Sequence, residues 1–233
     1  ISGAMGLFDR ETVIRAGGYS VKTVGEDMEL VLRMRRYMAE SETKYEVTYI
    51  PDPLCWTEVP SDLKSMRKQR TRWTRGLIES LRTHRKMFLN SQYGRLGLLG
   101  YPYWFFFEWM APLVAFGGFI YTIYLIIRDS LNWPFYLLLF LFVYSFAVSL
   151  STWAILFEEI TFHKYKRKRD VLKLVGVAFL EPFFYPVHTY FAVRGNFEAL
   201  RGKKGWGSAE RSGFGKKKKA RTRVIDDSNE FSQ

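Results

Sequence analysis

Three apolar blocks in the second half of the chain constrain its fold more than any other feature: Tyr101 to Ile127, Trp133 to Phe157 and Val171 to Val193. As a helix the first would be about 40 Å long, enough to cross ~30 Å of hydrocarbon with tilt. The 233 residues are 48% hydrophobic yet carry a formal net charge of +12, with basic residues gathered before and after the stretch from Leu96 to Val193. A bilayer imposes such segregation, whereas a uniform soluble core would mix the two populations. Tyr101, Trp104, Trp109, Trp133 and Trp153 fall toward segment ends, as interface anchors do. Glu108 and the pair Glu158-Glu159 are costly in lipid and are expected to face a bundle interior or the interface.

The third block is weaker than the other two. Glu181-Pro182 and Pro186 interrupt it, and His188 sits near its end. The loop His163 to Arg169 and the tail Arg194 to Arg223 are both strongly basic, and basic loops stay cytosolic. A complete crossing would place one of them outside, so a re-entrant or interfacial arrangement is expected, with a simple third span as the alternative. The short Arg128 to Asn132 connection is placed outside. The tail ends in Lys216 to Lys219 and a polar run, a composition suited to anionic lipid and to disorder.

Residues 1–61 read as mixed α/β. Leu7-Phe8 suggests a short strand, Val13-Ile14 a helical turn closed by Gly17-Gly18, and Glu26 to Met38 a helix. Tyr45 to Ile50 alternates and is rich in β-branched and aromatic residues, the pattern of a strand ended by Pro51 and Pro53. The chain opens Ile1-Ser2-Gly3-Ala4, without initiator Met or signal pattern, so it is expected to begin inside a domain. Residues 62–94 form the next unit. Pro60-Ser61-Asp62 starts a helix whose Leu63, Met66, Arg70, Trp73, Leu77 and Leu81 trace one face, while Lys64, Arg67, Lys68, Arg75 and Arg82 crowd the rest. Such a helix lies in the membrane interface plane; a solvated surface helix is the alternative. Residues 95–193 form the membrane region and 194–233 a basic cytosolic tail.

Two polar clusters stand out against this background. Glu26-Asp27, with Glu29, opens a predicted helix, where the dipole favours a carboxylate. Asp27 is the candidate general base; alone, the acidic group would equally decorate a helix N-terminus. Gln69, Arg72 and Trp73 share one helical patch. An Arg fork suits a diphosphate, and an indole face suits a sugar ring. The same residues would also serve to anchor an interfacial helix. Scattered His84, His163 and His188 lack ligand spacing, Cys55 is the single cysteine, and neither a phosphate-cradling loop nor a nucleic-acid reader is present.

Ser2-Gly3-Ala4, Phe8, Gly17-Gly18-Tyr19, Glu26-Asp27 with Glu29-Leu30, and Gln69-Arg70-Thr71-Arg72-Trp73 occur in that order. In this the chain resembles the processive family 2 glycosyltransferases, the cellulose, chitin, hyaluronan and poly-N-acetylglucosamine synthases. Gly25 stands where that family often has Thr. The resemblance covers nearly the whole chain and is strongest from Ile1 to Gly76. It implies the C-terminal part of a GT-A catalytic domain, an interfacial amphipathic helix bearing the Gln-x-x-Arg-Trp motif, then transmembrane helices. Asp27 would be the base, with Glu26 beside it. Gln69 and Arg72 would sit near the donor diphosphate, Trp73 at the acceptor sugar, and Ser2 and Gly3 in the substrate site. Trp206 and Arg211, in a Gly-rich basic loop, resemble an element close to the nucleotide in several relatives; a membrane-surface anchor is the other reading.

The function so implied is an inverting synthase of the cell membrane, multi-pass, with its catalytic part cytosolic. It would polymerise UDP-N-acetylglucosamine or UDP-glucose and pass the growing glycan outward. Mg²⁺ or Mn²⁺ would be held by carboxylates outside this chain, so the chain alone is expected to be inactive. Its partners would be the UDP-sugar, the glycan and the lipid bilayer, without nucleic acid; a regulatory or export protein is left open. A transferase adding one sugar to a lipid or protein, and a non-catalytic membrane scaffold, are the alternatives.

Overall fold

The computed structural model describes residues 5–50, 55, 57–162, 165 and 167–202. Ser2, Gly3, Pro51, Pro53, His163, Trp206, Arg211 and the polybasic tail lie outside the described residues. Six helical elements carry the described fold. The first, α1 (Arg10–Arg15), is capped by Asp9, whose carboxylate accepts from the Thr12 amide at 2.8 Å and hydroxyl at 2.7 Å. It is closed by Gly17 and Gly18 at φ +95° and +66°, a conformation open to glycine. Helix α2 (Glu26–Glu40) follows, with three acids in its first turn complementing the dipole. Asp62 caps α3 (Leu63–Thr83) by accepting from the Ser65 amide at 2.9 Å.

Two 3₁₀ turns, Arg85–Met87 and Ser91–Tyr93, lead into α4 (Leu96–Ile127). This long helix is widened by π turns at Leu96–Gly100 and Trp104–Met110. Then come α5 (Trp133–Phe162) and α6 (Lys168–Leu200). All three are long and apolar enough to cross a membrane, and most of their large apolar side chains are exposed on the chain's surface. That exposed apolar area is what lipid covers, and the chain is read as a membrane protein. A compact core of Leu32, Leu81, Met87, Tyr93, Leu96 and Tyr101 instead joins α2, α3 and the start of α4. The Tyr101 hydroxyl donates to the Leu81 carbonyl within it.

Three sequence expectations meet a different structure. The mixed α/β reading does not appear as strands among the described residues: Leu7-Phe8 and Tyr45–Ile50 carry no ladder. A strand exists only through a hydrogen-bonded neighbour, and neither segment has one among these residues. Burial within the protein follows the face traced from Leu63 to Leu81 only toward its C-terminal end. Leu63 and Trp73 are exposed, whereas Thr71, Arg75, Gly76, Ile78, Ser80 and Leu81 are buried. Burial is concentrated in the second half of α3, where α2 and α6 cover it from different sides. Arg75, assigned by sequence to the basic outer face, is thereby enclosed.

The third block does not turn back. α6 continues through Pro182 and Pro186 as one helix. Each proline removes an amide donor from the ladder. Beside this loosened turn, the Tyr144 hydroxyl donates to the Phe179 carbonyl at 3.0 Å, and the Tyr144 and Phe183 rings pack 5.6 Å apart. Three further hydrogen bonds join the last three helices. The hydroxyls of Thr122 in α4 and Tyr136 in α5 are 3.1 Å apart, so these helices meet near their connecting turn. Trp109 and Ser151 each lie about 27 Å from that turn along their own helices. Trp109 Nε1 donates to Asn196 Oδ1 at 2.7 Å, and Ser151 Oγ donates to Glu181 Oε2 at 2.8 Å. Positions 181 and 196 are about 22 Å apart on α6, so α5 and α4 meet it at separate points along its length.

Candidate active site

The start of α2 is pressed against the middle of α3. A Cβ placed on Gly25 would lie 2.8 Å from Gly76 Cα, and one on Gly76 would lie 2.7 Å from Gly25 Cα. Two backbones touch here, and neither position has room for a side chain. Gly25, a departure from the family motif in sequence, has a steric reason in the fold. The preceding residues are also tied down. The Val24 amide donates to Glu79 Oε2 at 2.9 Å, and the Gly25 amide donates to Thr23 Oγ1 at 3.1 Å. Asp27, half-buried in the first turn, accepts the Met28 amide on Oδ1 at 2.8 Å.

On α3, Gln69, Arg72, Gly76 and Glu79 recur at spacings of three and four and so form one stripe. Gln69 and Arg72 are half-buried. Trp73, one turn before Gly76, is 51% exposed, and the Arg70 guanidinium lies 4.8 Å over its ring. From the glycine contact and helix geometry, the Cα atoms of Asp27 and Trp73 are at most about 15 Å apart. Residues nearly fifty positions apart in sequence thus share one corner, with Glu26 on the same first turn of α2.

Buried charge braces this corner from behind. Glu29 accepts from Arg33 Nη2 at 2.9 Å and lies 3.1 Å from His84 Nε2 across the helix pair. Arg33 also donates to the carbonyls of Ala16 and Gly18, holding α1 in place. Burial pushes the His84 imidazole below its ordinary value; Glu29 opposes the shift, and Arg36 and Arg33 add to it. A neutral His84 donating from Nε2 fits the absence of any hydrogen-bond partner at its Nδ1. From the far side, α6 reaches α3 through Gly195, where a Cβ would lie 2.7 Å from Thr74 Cβ and 3.1 Å from the Thr71 carbonyl.

A carboxylate, an arginine with glutamine, and an exposed indole thus lie on adjoining helices. The family described as Glycosyl transferase family group 2 matches residues 1–154, about two thirds of the chain. The chain belongs to that family. Over 81 residues this glycosyltransferase is 31% identical to the poly-beta-1,6-N-acetyl-D-glucosamine synthase of Staphylococcus epidermidis, covering 35% of this chain and 18% of that protein. The protein of the same name from Staphylococcus aureus is likewise 31% identical over 81 residues. The chain thus spans under a fifth of the length of the curated relatives it matches. No solved structure matches it.

The structure brings Asp27, Glu26, Gln69, Arg72 and Trp73 of this glycosyltransferase to one corner; Ser2, Gly3, Trp206 and Arg211 are outside the described residues. Sequence reasoning did not single out Gly76 or Glu79, and it named Glu29 and His84 without pairing them. Glu79 had a usable signal, since it continues the Gln69–Arg72 stripe. His84 had none, because its partner Glu29 lies on another helix. Among the described residues, no three His, Cys, Asp or Glu side chains gather to hold a metal ion. They do not fit the divalent ion that the resemblance implies, and no step below passes through it.

Proposed function

We propose that this chain forms the acceptor corner and membrane part of an inverting synthase that polymerises a UDP-sugar, UDP-N-acetylglucosamine or UDP-glucose, into a β-linked polysaccharide. The reading is carried by the backbone contact of Gly25 with Gly76, which sets Asp27 beside the helix bearing Arg72 and Trp73. Similarity to poly-beta-1,6-N-acetyl-D-glucosamine synthases favours a polymer over a single added sugar. With Oδ1 of Asp27 taken by the Met28 amide, Oδ2 removes the proton from the acceptor hydroxyl. The freed oxygen attacks the anomeric carbon, the bond to the diphosphate breaks, and UDP leaves with the electron pair. Attack and departure on opposite faces invert the centre. Arg72 and Gln69 take the charge that grows on the leaving diphosphate. Trp73 offers its face to the acceptor ring.

Mg²⁺ or Mn²⁺, on carboxylates outside the described residues, would supply the remaining charge compensation for UDP. The site faces the cytosol in a multi-pass protein of the cell membrane, and the glycan leaves between the membrane helices. Both ends of α6 lie on the cytosolic side, a reading that the basic residues at each end support. Single cysteines at Lys168 and Leu200, in a Cys55→Ser background, are then labelled from one side only; labelling from opposite faces restores a simple third span.

The decisive experiment is Asp27→Asn in the full-length enzyme, assayed in membranes with both UDP-sugars. General-base loss is expected to lower the rate by about 10²- to 10⁴-fold. A rate near that of the wild type overturns the assignment and leaves the scaffold reading. Product length separates the remaining alternative: a polymer supports the synthase, one added sugar the single-transfer enzyme.

A further inference from the structure

The same helix that carries Arg72 and Trp73 also grips the segment leading into Asp27. Glu79 lies one turn beyond Gly76 on the Gln69–Arg72 stripe. Its Oε2 accepts the Val24 amide at 2.9 Å, a part-buried bond joining residues 55 positions apart. Its other oxygen is 4.0 Å from the buried Arg75 guanidinium, which steadies the carboxylate. Immediately after Val24, Gly25 is stopped against Gly76, and α2 begins at Glu26. Val24 is therefore held from one direction by a charge-assisted hydrogen bond, and Gly25 from another by backbone contact. A single residue, Glu26, lies between that clamp and Asp27.

We propose that Glu79 is a positioning residue for Asp27: by holding the Val24 amide it fixes where α2 starts, so α3 sets both halves of the acceptor site. The inference rests on the function proposed above. Glu79 has no role in the chemistry itself; its carboxylate is occupied by the amide it holds. Without it, the loop before α2 loses its one side-chain tether to α3 among the bonds described at Val24 and Gly25, and the base drifts from the acceptor hydroxyl. A displacement of about 1 Å is enough to cost on the order of 10²-fold in rate.

The test uses the full-length enzyme in membranes, with kcat and KM measured for UDP-N-acetylglucosamine and UDP-glucose. Glu79→Ala is expected to lower kcat by about 10- to 100-fold while the donor KM stays within about twofold, the pattern of lost alignment rather than lost binding. Glu79→Gln, whose amide oxygen accepts the same N–H, is expected to restore kcat to within a few fold of the wild type. In an Asp27→Asn background, Glu79→Ala is expected to cost nothing further, because a residue that acts only through the base is silent once the base is gone. A wild-type kcat for Glu79→Ala, a Gln variant as poor as the Ala variant, or an undiminished loss in the Asp27→Asn background overturns the proposal. Should Glu79→Ala fail to fold, Glu79→Asp, one methylene shorter, carries the test: a kcat drop with an unchanged thermal transition supports positioning, and full activity overturns it. If Asp27→Asn is itself fully active, the site assignment fails first; if it is inactive while Glu79→Ala is not, only this inference fails.

Discussion

The α2–α3 corner and the α4–α5 hairpin are held by different physics. In the corner, two glycine backbones touch and a buried Glu29, Arg33 and His84 group fills the space behind them. In the hairpin, Gly117 and Gly118 have nothing within 4 Å of an added Cβ, and the two helices share the isolated Thr122–Tyr136 bond. The corner has one geometry, because backbone contact and buried charge tolerate little displacement. The hairpin presents apolar surface to whatever surrounds it, and there composition matters more than identity. Specificity of placement is concentrated where the proposed chemistry is.

That contrast breaks most visibly at Glu29. Glu29→Ala leaves the buried His84 and the half-buried Arg33 without their shared acceptor, so a loss of about 3 kcal/mol in thermal or chemical unfolding is expected, from two partners at about 1 to 3 kcal/mol each. Leu141→Ala, on an exposed apolar face of α5, is expected to shift the same transition little. Comparable losses at both positions would mean that the hairpin is as tightly specified as the corner. The glycines give the next largest difference. Gly76→Ala forces a Cβ to 2.7 Å from Gly25 Cα, and overpacking of that kind costs about 1 to 3 kcal/mol. It should also lower activity, since the start of α2 must move. Gly118→Ala meets open space and should leave both stability and activity unchanged. Equal tolerance at Gly76 and Gly118 would remove the close contact on which the acceptor corner rests.

Acid should unpick the corner through His84. Burial holds its imidazole below the ordinary value of 6.5, with Glu29 opposing and Arg36 and Arg33 assisting. The folded state therefore binds fewer protons at this position than the unfolded chain. The contribution is complete above pH 6.5 and is lost as the pH falls below it, with a slope of at most about 1.4 kcal/mol per pH unit for one proton. Melting of the wild type at pH 7.5 and 5.5, compared with His84→Gln, reads this directly. The variant should show the shallower dependence; an unchanged slope would place the acid-sensitive group elsewhere.

How much of this was legible in sequence depended on how far apart the interacting residues lie. The Asp62 cap and the α1 turn closed by Gly17-Gly18 depend on neighbours within a few positions, and the spacing revealed them. The candidate site residues came from motifs, but their proximity depends on Gly25 meeting Gly76, a contact that no local pattern encodes. Gly25 therefore looked like a departure rather than a requirement. Tyr45–Ile50 has a strand's alternation but no ladder among the described residues, because alternation gives the face and not the partner. Pro182 and Pro186 suggested an interruption, whereas packing on α3 and α5 carries the helix through both.

The smallest effect tests how α6 is joined to α5. Ser151 in α5 and Glu181 in α6 join the two helices by one hydrogen bond of 2.8 Å. Side-chain hydrogen bonds between membrane helices average about 0.6 kcal/mol, because the separated helices find other partners. Ser151→Ala should therefore lower the melting transition only slightly. Glu181→Ala also removes a carboxylate from an apolar segment, so its effect should be neutral or slightly stabilising. If both variants instead lost several kcal/mol, the α5–α6 crossing would be as exacting as the Gly25–Gly76 contact. The division between a precisely built corner and a permissive hairpin would then have to be redrawn to include α6.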